Sequence, residues 1–350
     1  MKAKKVFIGI SLSIMLLVTG CSQGGRTGDS GASSTAAPQN TQGASAGSGT
    51  DLKLKAMTKF KVGSAALSTQ DITVVFVGIR NGIYKKYNLD VDVKGVEGGV
   101  VALRGLQAGD FDVTFGLPEN VISGVAQGAD MKIIGATAAE SLFSVFVGKD
   151  IQKIEDLKGK KAAVLQPNNG TDIQMRWWLK KHGLEPDKDV TIVSAGATPA
   201  RFAALKTGQV AVVPLVPPVD IEAENLGYKR IANIRDDIPG INHDVISTTG
   251  KMIREKPEVL RAFIAATSEA IKFVKDPANF DEAVKVGVEE LGFGLEITKR
   301  GLADVLPTIP DGAKFNKKGI EWSIQTAQEV GVLEKNFTID KVIDESFYSK

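Results

Sequence analysis

From Lys61 to Ile234 the chain alternates short apolar runs with longer amphipathic ones. Val62-Gly63-Ser64-Ala65-Ala66-Leu67 reads as a strand, and residues 74–87 read as a helix. Leu89-Asp90-Val91-Asp92-Val93 alternates apolar and polar positions, the period of a half-buried strand. A helix is predicted over 100–107 and stopped by Gly109, before a strand at Phe111-Asp112-Val113-Thr114-Phe115. Residues 121–127 then read as a helix and 131–136 as a strand. A second series follows a strand candidate at 143–149. It has a short helix and turn at 154–161 and strands at 162–165, 190–193, 210–213 and 230–234. Its helices fall at 172–181, 200–206 and 219–226. Strands separated by helices of this length imply parallel βαβ units. Residues 245–249 read as a strand returning the chain to the first half.

The remainder is helical. Leu260, Phe263, Ile264, Ile271 and Val274 recur at helical spacing after Pro257, and Asp276-Pro277 ends the run. Further helices are predicted over 280–291, 296–305 and 317–330, packed on the first domain. Leu106-Gln107-Ala108-Gly109-Asp110-Phe111-Asp112-Val113 and Leu205-Lys206-Thr207-Gly208-Gln209-Val210-Ala211-Val212 share one spacing of helix end, glycine and strand. Any two βα units share that spacing too.

The N-terminus is of another kind. Lys2, Lys4 and Lys5 precede an apolar run over 6–18, then Val18-Thr19-Gly20-Cys21. The run is shorter than the ~20 residues that span a bilayer, and reads as a signal-peptide core with small residues before the cleavage point. Its end resembles the lipobox of bacterial lipoproteins. That resemblance implies a signal peptide over 1–20 and a lipidated (palmitate-bearing) Cys21 as the first mature residue. The alternatives are a buried free thiol, or an ordinary signal peptide that happens to contain Cys. Residues 22–50 are almost wholly Ser, Gly, Thr, Ala and Gln. Such a stretch cannot offset its conformational entropy by burial. It reads as a tether with an end-to-end distance of roughly 30 Å.

Composition changes the picture in two places. The 350 residues are 43% hydrophobic and 24% charged, a globular balance. Without residues 1–20 the chain has 40 basic and 41 acidic residues, a net charge of −1, so the apparent basic excess belongs to the leader. No nucleic-acid partner is indicated, since that would need a basic patch or stripe. Cys21 is the single cysteine, so no disulfide forms within the mature chain. Roughly 290 folded residues suit a core divided between two domains.

The order of motifs resembles the type II periplasmic binding proteins. Within them it is closest in kind to the sulfonate/nitrate/taurine and thiamine-pyrimidine-precursor group of ABC-transporter receptors. The resemblance rests on Asn81-Gly82-Ile83-Tyr84-Lys85-Lys86-Tyr87-Asn88-Leu89-Asp90-Val91, on Glu97-Gly98-Gly99 and on residues 106–116. It also rests on residues 154–161, which look like that group's Asp-Leu-Lys-Gly-Lys element, and on Gly170-Thr171. It covers residues 61–330. Ala211 stands where the group usually carries an acidic residue, and the segment Val212-Val213-Pro214-Leu215-Val216-Pro217-Pro218 is unusual for it. The resemblance implies a two-domain α/β fold with a ligand cleft between the domains, closing like a Venus flytrap. The expected division is 1–20 signal peptide, 21–56 lipidated cysteine and linker, 57–148 with 246–350 domain I, and 149–245 domain II.

In open α/β sheets ligands bind beyond the carboxyl ends of the strands. The candidate ligand contacts are therefore loop residues. In the first domain they are Ser68, Thr69, Gln70, Gly98, Gly99, Leu117, Pro118, Glu119 and Ser141, with Asn120 and Glu140 beside them. In the second they are Asn168, Asn169, Gly170, Thr171 and Arg201, in loops 166–171 and 197–201, with Pro214 joining them. The loop ending at Thr171 follows a strand and opens a helix, whose first N–H groups suit an anionic or polar group. Gly170 would let the backbone approach closely, while Asn169 or Thr171 would equally serve as a plain helix cap. Arg201 would pair with an anion if it points into the cleft. Glu119 and Glu140 would repel a bare anion and suit a ligand with N–H donors; plain solvated or capping roles compete for both.

Trp177 and Trp178 lie about 100° apart on a helix, so one at least is expected against the sheet. His182 reads as a helix-end residue and His243-Asp244 as a hinge or cleft edge. The two histidines lie in no metal-ligand spacing, and no cofactor, metal site or catalytic residue is indicated.

The resulting expectation is an extracytoplasmic, lipid-anchored, monomeric solute receptor of an ABC importer. Its partners would be a small-molecule ligand, the permease and ATPase subunits, and the membrane through its anchor. A small organic anion of the sulfonate, nitrate or carboxylate class is the favoured ligand, with a pyrimidine or other nitrogen heterocycle as runner-up. A pyrimidine-synthase-like enzyme and a ligand sensor are the alternatives of another class.

Overall fold

Two mixed sheets flanked by helices make up the computed structural model, which describes residues 52–66 and 73–348. The expected leader, Cys21 and most of the tether lie outside the described residues, as do Ser68, Thr69 and Gln70. Along the chain the strands are β1 (Thr58–Ser64), β2 (Leu89–Gly95), β3 (Val113–Gly116), β4 (Met131–Ala138) and β5 (Ser144–Val147). They continue with β6 (Lys161–Val164), β7 (Thr191–Ser194), β8 (Val212–Leu215), β9 (Lys229–Asn233) and β10 (Asp244–Thr249). The α-helices are α1 (Thr73–Arg80), α2 (Ile83–Lys86), α3 (Gly99–Ala108), α4 (Pro118–Ala126), α5 (Gly170–Lys181), α6 (Thr198–Lys206) and α7 (Val219–Asn225). Then come α8 (Ile234–Asp237), α9 (Gly250–Glu255), α10 (Pro257–Lys275), α11 (Phe280–Leu291), α12 (Leu295–Val305) and α13 (Lys317–Glu329).

The first sheet runs β2-β1-β3-β10-β4 and the second β7-β6-β8-β5-β9. In each, four strands run in one direction, three of them paired side by side, as the βαβ spacing predicts. In each, one antiparallel strand is inserted between the third and the last. The inserted strands are exchanged: β5 reaches the second sheet directly after the first series, and β10 returns to the first sheet after the second. β5 pairs with β8 and β9 and so belongs to the second sheet. β10 enters the first sheet at Asp244. An apolar run buried along its whole length, as Ser144–Val147 is, reads the same in either sheet. Its partners settle the matter, not its composition.

The two Gly-capped helix ends singled out by their spacing occupy equivalent places. Gly109 (φ 81°) ends α3 before β3, and Gly208 (φ 71°) follows α6 before β8. The helix expected over 74–87 is broken into α1 and α2, because Gly82 takes a left-handed φ of 65°.

Phe263 on α10 anchors the first sheet. Its ring stacks on Phe60 of β1 at 4.5 Å and on Tyr84 of α2 at 5.5 Å, and meets Phe115 of β3 at 6.4 Å. The late helices are not confined to the first sheet: α13 packs on both α4 and α5, and α12 touches α7. Phe263 is fully buried, so Phe263→Ala should lower unfolding free energy by about 3–5 kcal/mol. Chemical denaturation should show a lower midpoint at unchanged slope.

Candidate functional site

A cleft of about 80 Å³ opens between the carboxyl ends of the two sets of parallel strands. That is room for several waters, hence for a small ligand. Residues 64–66 after β1, Gly98-Gly99 before α3 and Gly116-Leu117 after β3 form one wall. Leu165 after β6, Asn169 and Thr171 at the start of α5, and Ala197, Thr198 and Arg201 at the start of α6 form the other. Phe143, Val216, His243 and Asp244 close the back. Of the residues singled out by sequence, Gly98, Gly99, Leu117, Asn169, Thr171 and Arg201 are brought together here.

The start of α5 is built by local hydrogen bonds. Asn169 caps the helix: its Oδ1 accepts from the Asp172 N–H at 3.0 Å and from Thr171 Oγ1 at 2.6 Å. Thr171 Oγ1 also accepts from the Leu165 N–H at 3.3 Å. Capping and cleft lining thus coexist. With Oδ1 committed, the other end of the amide points elsewhere: Asn169 Nδ2 is buried with no acceptor among the described residues. Buried donors are ordinarily satisfied, and this one sits on a cleft wall.

Arg201 is the principal charge of the site. Only 2% of it is exposed. Its Nε donates to the Pro214 carbonyl at 3.0 Å, Nη1 to the Gly196 carbonyl at 3.0 Å and Nη2 to Thr198 Oγ1 at 2.9 Å. All three acceptors are neutral, and no carboxylate pairs with it among the described residues. Burial therefore pulls the guanidinium down from its usual range to about 9, which still leaves it charged at neutral pH. Pro214 serves the site by holding Arg201 and does not line the cleft itself.

His243 on the back wall has a fixed orientation. Its Nδ1 accepts the Leu142 N–H at 3.2 Å, so a neutral ring carries its proton on Nε2. Phe143 packs edge-on against it at 4.7 Å. Asp244 Oδ2 accepts from Thr137 Oγ1 at 3.0 Å. His243 and Asp244 fit the cleft-edge reading. Phe143 and Val216 were not named as ligand contacts; Val216 lay in the unusual segment 212–218 and Phe143 opened the strand candidate at 143–149.

Several sequence candidates belong elsewhere. Gly170 faces the first half, not the cleft. Its N–H donates to Asn120 Oδ1 at 3.2 Å. A Cβ there would fall 2.7 Å from Leu117 Cδ1 and 2.9 Å from Glu119 Oε2. The close approach this glycine permits is thus between helices α5 and α4. Glu119 is buried beneath that contact, where Gln174 Nε2 and Ser323 Oγ donate to its Oε1 at 3.1 and 2.9 Å. Desolvation raises its carboxyl to about 7. Pro118 opens α4. Ser141 lies on the crossing and reaches Gln174 Oε1 at 3.5 Å. Asn168 takes a left-handed φ of 60° and binds Asp172 through its N–H at 2.7 Å. None of these lines the cleft, and neither does half-buried Glu140.

The two tryptophans divide as their spacing predicts. Trp178 is fully buried in the core, and Trp177 meets Trp322 of α13 edge to face at 5.1 Å. His182 ends α5 and reaches Asp237 Oδ2 through Nε2 at 3.2 Å.

Known proteins share this architecture. Residues 69–279, more than half the chain, match the family model described as NMT1/THI5 like. The nitrate/nitrite binding protein NrtA of Synechococcus elongatus is 24% identical over 314 residues, covering 81% of this chain and 67% of that protein. The alkanesulfonate-binding protein SsuA from Xanthomonas axonopodis pv. citri, solved with MOPS bound, superposes with a TM-score of 0.71 at 16% identity. That match covers 84% of this chain and all of the other. The periplasmic nitrate-binding protein NrtA from Synechocystis PCC 6803 gives 0.70 at 17% identity, covering 84% of this chain and 87% of that one. Both likenesses concern the fold.

Replacing a helical Gly by Ala ordinarily stabilises by about 0.5–1 kcal/mol. Gly170→Ala should instead cost about 1–3 kcal/mol by over-packing against Leu117 and Glu119. The sign is read by urea denaturation, and a gain would mean that the two neighbours yield.

Proposed function

Because the chain belongs to the NMT1/THI5-like family, we propose that it is the solute receptor of an ABC importer and that its ligand is a small organic or inorganic anion. One observation carries the ligand class: Arg201 is a buried cation on the cleft wall with neutral partners only. A buried guanidinium without a carboxylate is costly, and a ligand anion arriving in the cleft supplies the missing charge. Asn169 Nδ2 adds a donor on the same wall. The nitrate-binding and alkanesulfonate-binding relatives favour the same class.

Capture proceeds by rotation of the two halves about their crossings, drawn toward the closed arrangement by its higher affinity for ligand. Leu165 closes the mouth from the second half against Gly98 of the first; a Cβ at Gly98 would lie 2.8 Å from Leu165 Cδ2. The protein binds and releases its ligand unchanged and delivers it, as a monomer, to a permease with its ATPase. It does so outside the cytoplasm, held to the membrane by lipid on Cys21 and by the tether that follows. A nitrogen heterocycle is the second reading, favoured by the carboxylate of Asp244 at the back of the cleft, which suits an N–H donor.

Thermal unfolding against nitrate, sulfonates, carboxylates and pyrimidines tests the ligand class. A ligand at 100 times its Kd adds about 2.7 kcal/mol, or roughly 5–10 °C at this size. An anion should shift the wild type, and Arg201→Gln should lose at least about tenfold in affinity for it. A shift by pyrimidines alone, or full affinity in the variant, would refute the anion reading. For the anchor, Cys21→Ala should move the protein from the membrane pellet to the soluble fraction, and retention in the pellet would refute lipidation there.

A further inference from the structure

We propose that Glu119 couples the joint between the two halves to proton uptake, so that the seating of α5 on α4 and α13 is firmest at acidic pH and loosens as the pH rises. The side chain stands in the first turn of α4 and is fully buried. Three elements meet on its Oε1: α4 itself, α5 through Gln174 Nε2 at 3.1 Å, and α13 through Ser323 Oγ at 2.9 Å. Gln174 Oε1 continues the chain of contacts to Ser141 on the first crossing. Oε2 has no partner among the described residues and faces Gly170.

Both donors are neutral, and the charged groups of the surrounding elements are engaged elsewhere. On α5, Asp172 pairs with Arg176 at 2.7 Å. On α13, Lys317 pairs with Glu345 at 3.3 Å, while Lys318, Glu321 and Glu329 are exposed. On β4, Lys132 donates to the carbonyls of Asp340 and Lys341. Asp244 of β10 accepts from Thr137, and Arg104 of α3 is exposed. A carboxylate here would be a buried charge with one oxygen bare, whereas the protonated group has no charge to desolvate. Burial accordingly raises the carboxyl from 4.5 to about 7, against the hydrogen bonds from its own backbone N–H, Ser323 and Gln174 that lower it.

When α5 lifts from α4, water reaches the carboxyl and its ordinary proton affinity returns. The seated joint therefore holds the extra proton between pH 4.5 and about 7. Seating is fully favoured below that window, weakens by about tenfold per pH unit across it, and levels off above. Because Asn169 and Thr171 open α5, seating also sets their place on the cleft wall. That last consequence rests on the ligand-binding reading; the proton coupling does not, and its test needs no ligand.

The full-length protein and Glu119→Gln are titrated from about pH 4 to about pH 8.5, following the thermal midpoint and tryptophan emission. Trp177 on α5 touches Trp322 on α13, so emission reports on the joint. The midpoint of the variant, relative to wild type, should rise across the window from pH 4.5 to about 7 and then hold steady. An emission change over the same window should appear in the wild type and vanish in the variant. A midpoint difference independent of pH would overturn the proposal and leave Glu119 as a packing residue. So would an emission change that persists in the variant. Should Glu119→Gln fail to fold, Ser323→Ala serves instead. It removes a donor that favours the ionised form, so the transition should move to higher pH, and an unmoved transition overturns the proposal.

Discussion

Each sheet takes its antiparallel strand from across the molecule, and that exchange constrains everything else. β10 lies between β3 and β4, and β5 lies between β8 and β9. A strand inside a sheet has its N–H and C=O groups committed on both sides. The segments feeding these strands are thus held at both ends, and the two halves can move mainly by rotation about them. The crossings are also tied to each other, since the Leu142 N–H of the first bonds His243 Nδ1 of the second. Phe143 and His243, placed by this arrangement, become the back wall of the cleft. The hinge and the site are thus one piece of structure.

Two arginines differ in how their charge is met. Half-buried Arg230 on β9 pairs with Asp220 at 3.2 Å and Glu224 at 2.9 Å, and Glu224 also pairs with Arg300 of α12. Arg201 is bound just as firmly, but by two carbonyls and a hydroxyl that orient it without cancelling its charge. The first arrangement balances its charge with carboxylates. The second leaves a positive charge on the cleft wall that no carboxylate cancels among the described residues, which stability alone would not favour.

Much of this was legible in the sequence, and the misses share a cause. The strand and helix order followed from periodicity, because each element buries one face at its own repeat. The loops at the strand ends identified Arg201, Asn169 and Thr171, since the wall of the cleft is made where parallel strands end. Gly170 and Glu119 were named as ligand contacts because they lie in loops that follow strands. The structure gives them partners on α4, α5 and α13 that are remote in sequence: Ser323 lies 204 positions from Glu119. The sheet to which β5 belongs was hidden for the same reason. Periodicity reports burial, and it carries no information about which distant surface does the burying.

The exchange of strands has a kinetic consequence. During synthesis the first sheet lacks the strand between β3 and β4 until residues 244–249 have emerged, more than a hundred positions after β4. Its outer strand β4 pairs with β10 and, through Ile133, with a single bridge to Ile343, so the first half has a gap and an unsecured edge until the later chain has been made. Such long-range pairing slows folding. The wiring that joins the two halves in the folded protein thus also postpones the completion of the first half until the second has been made.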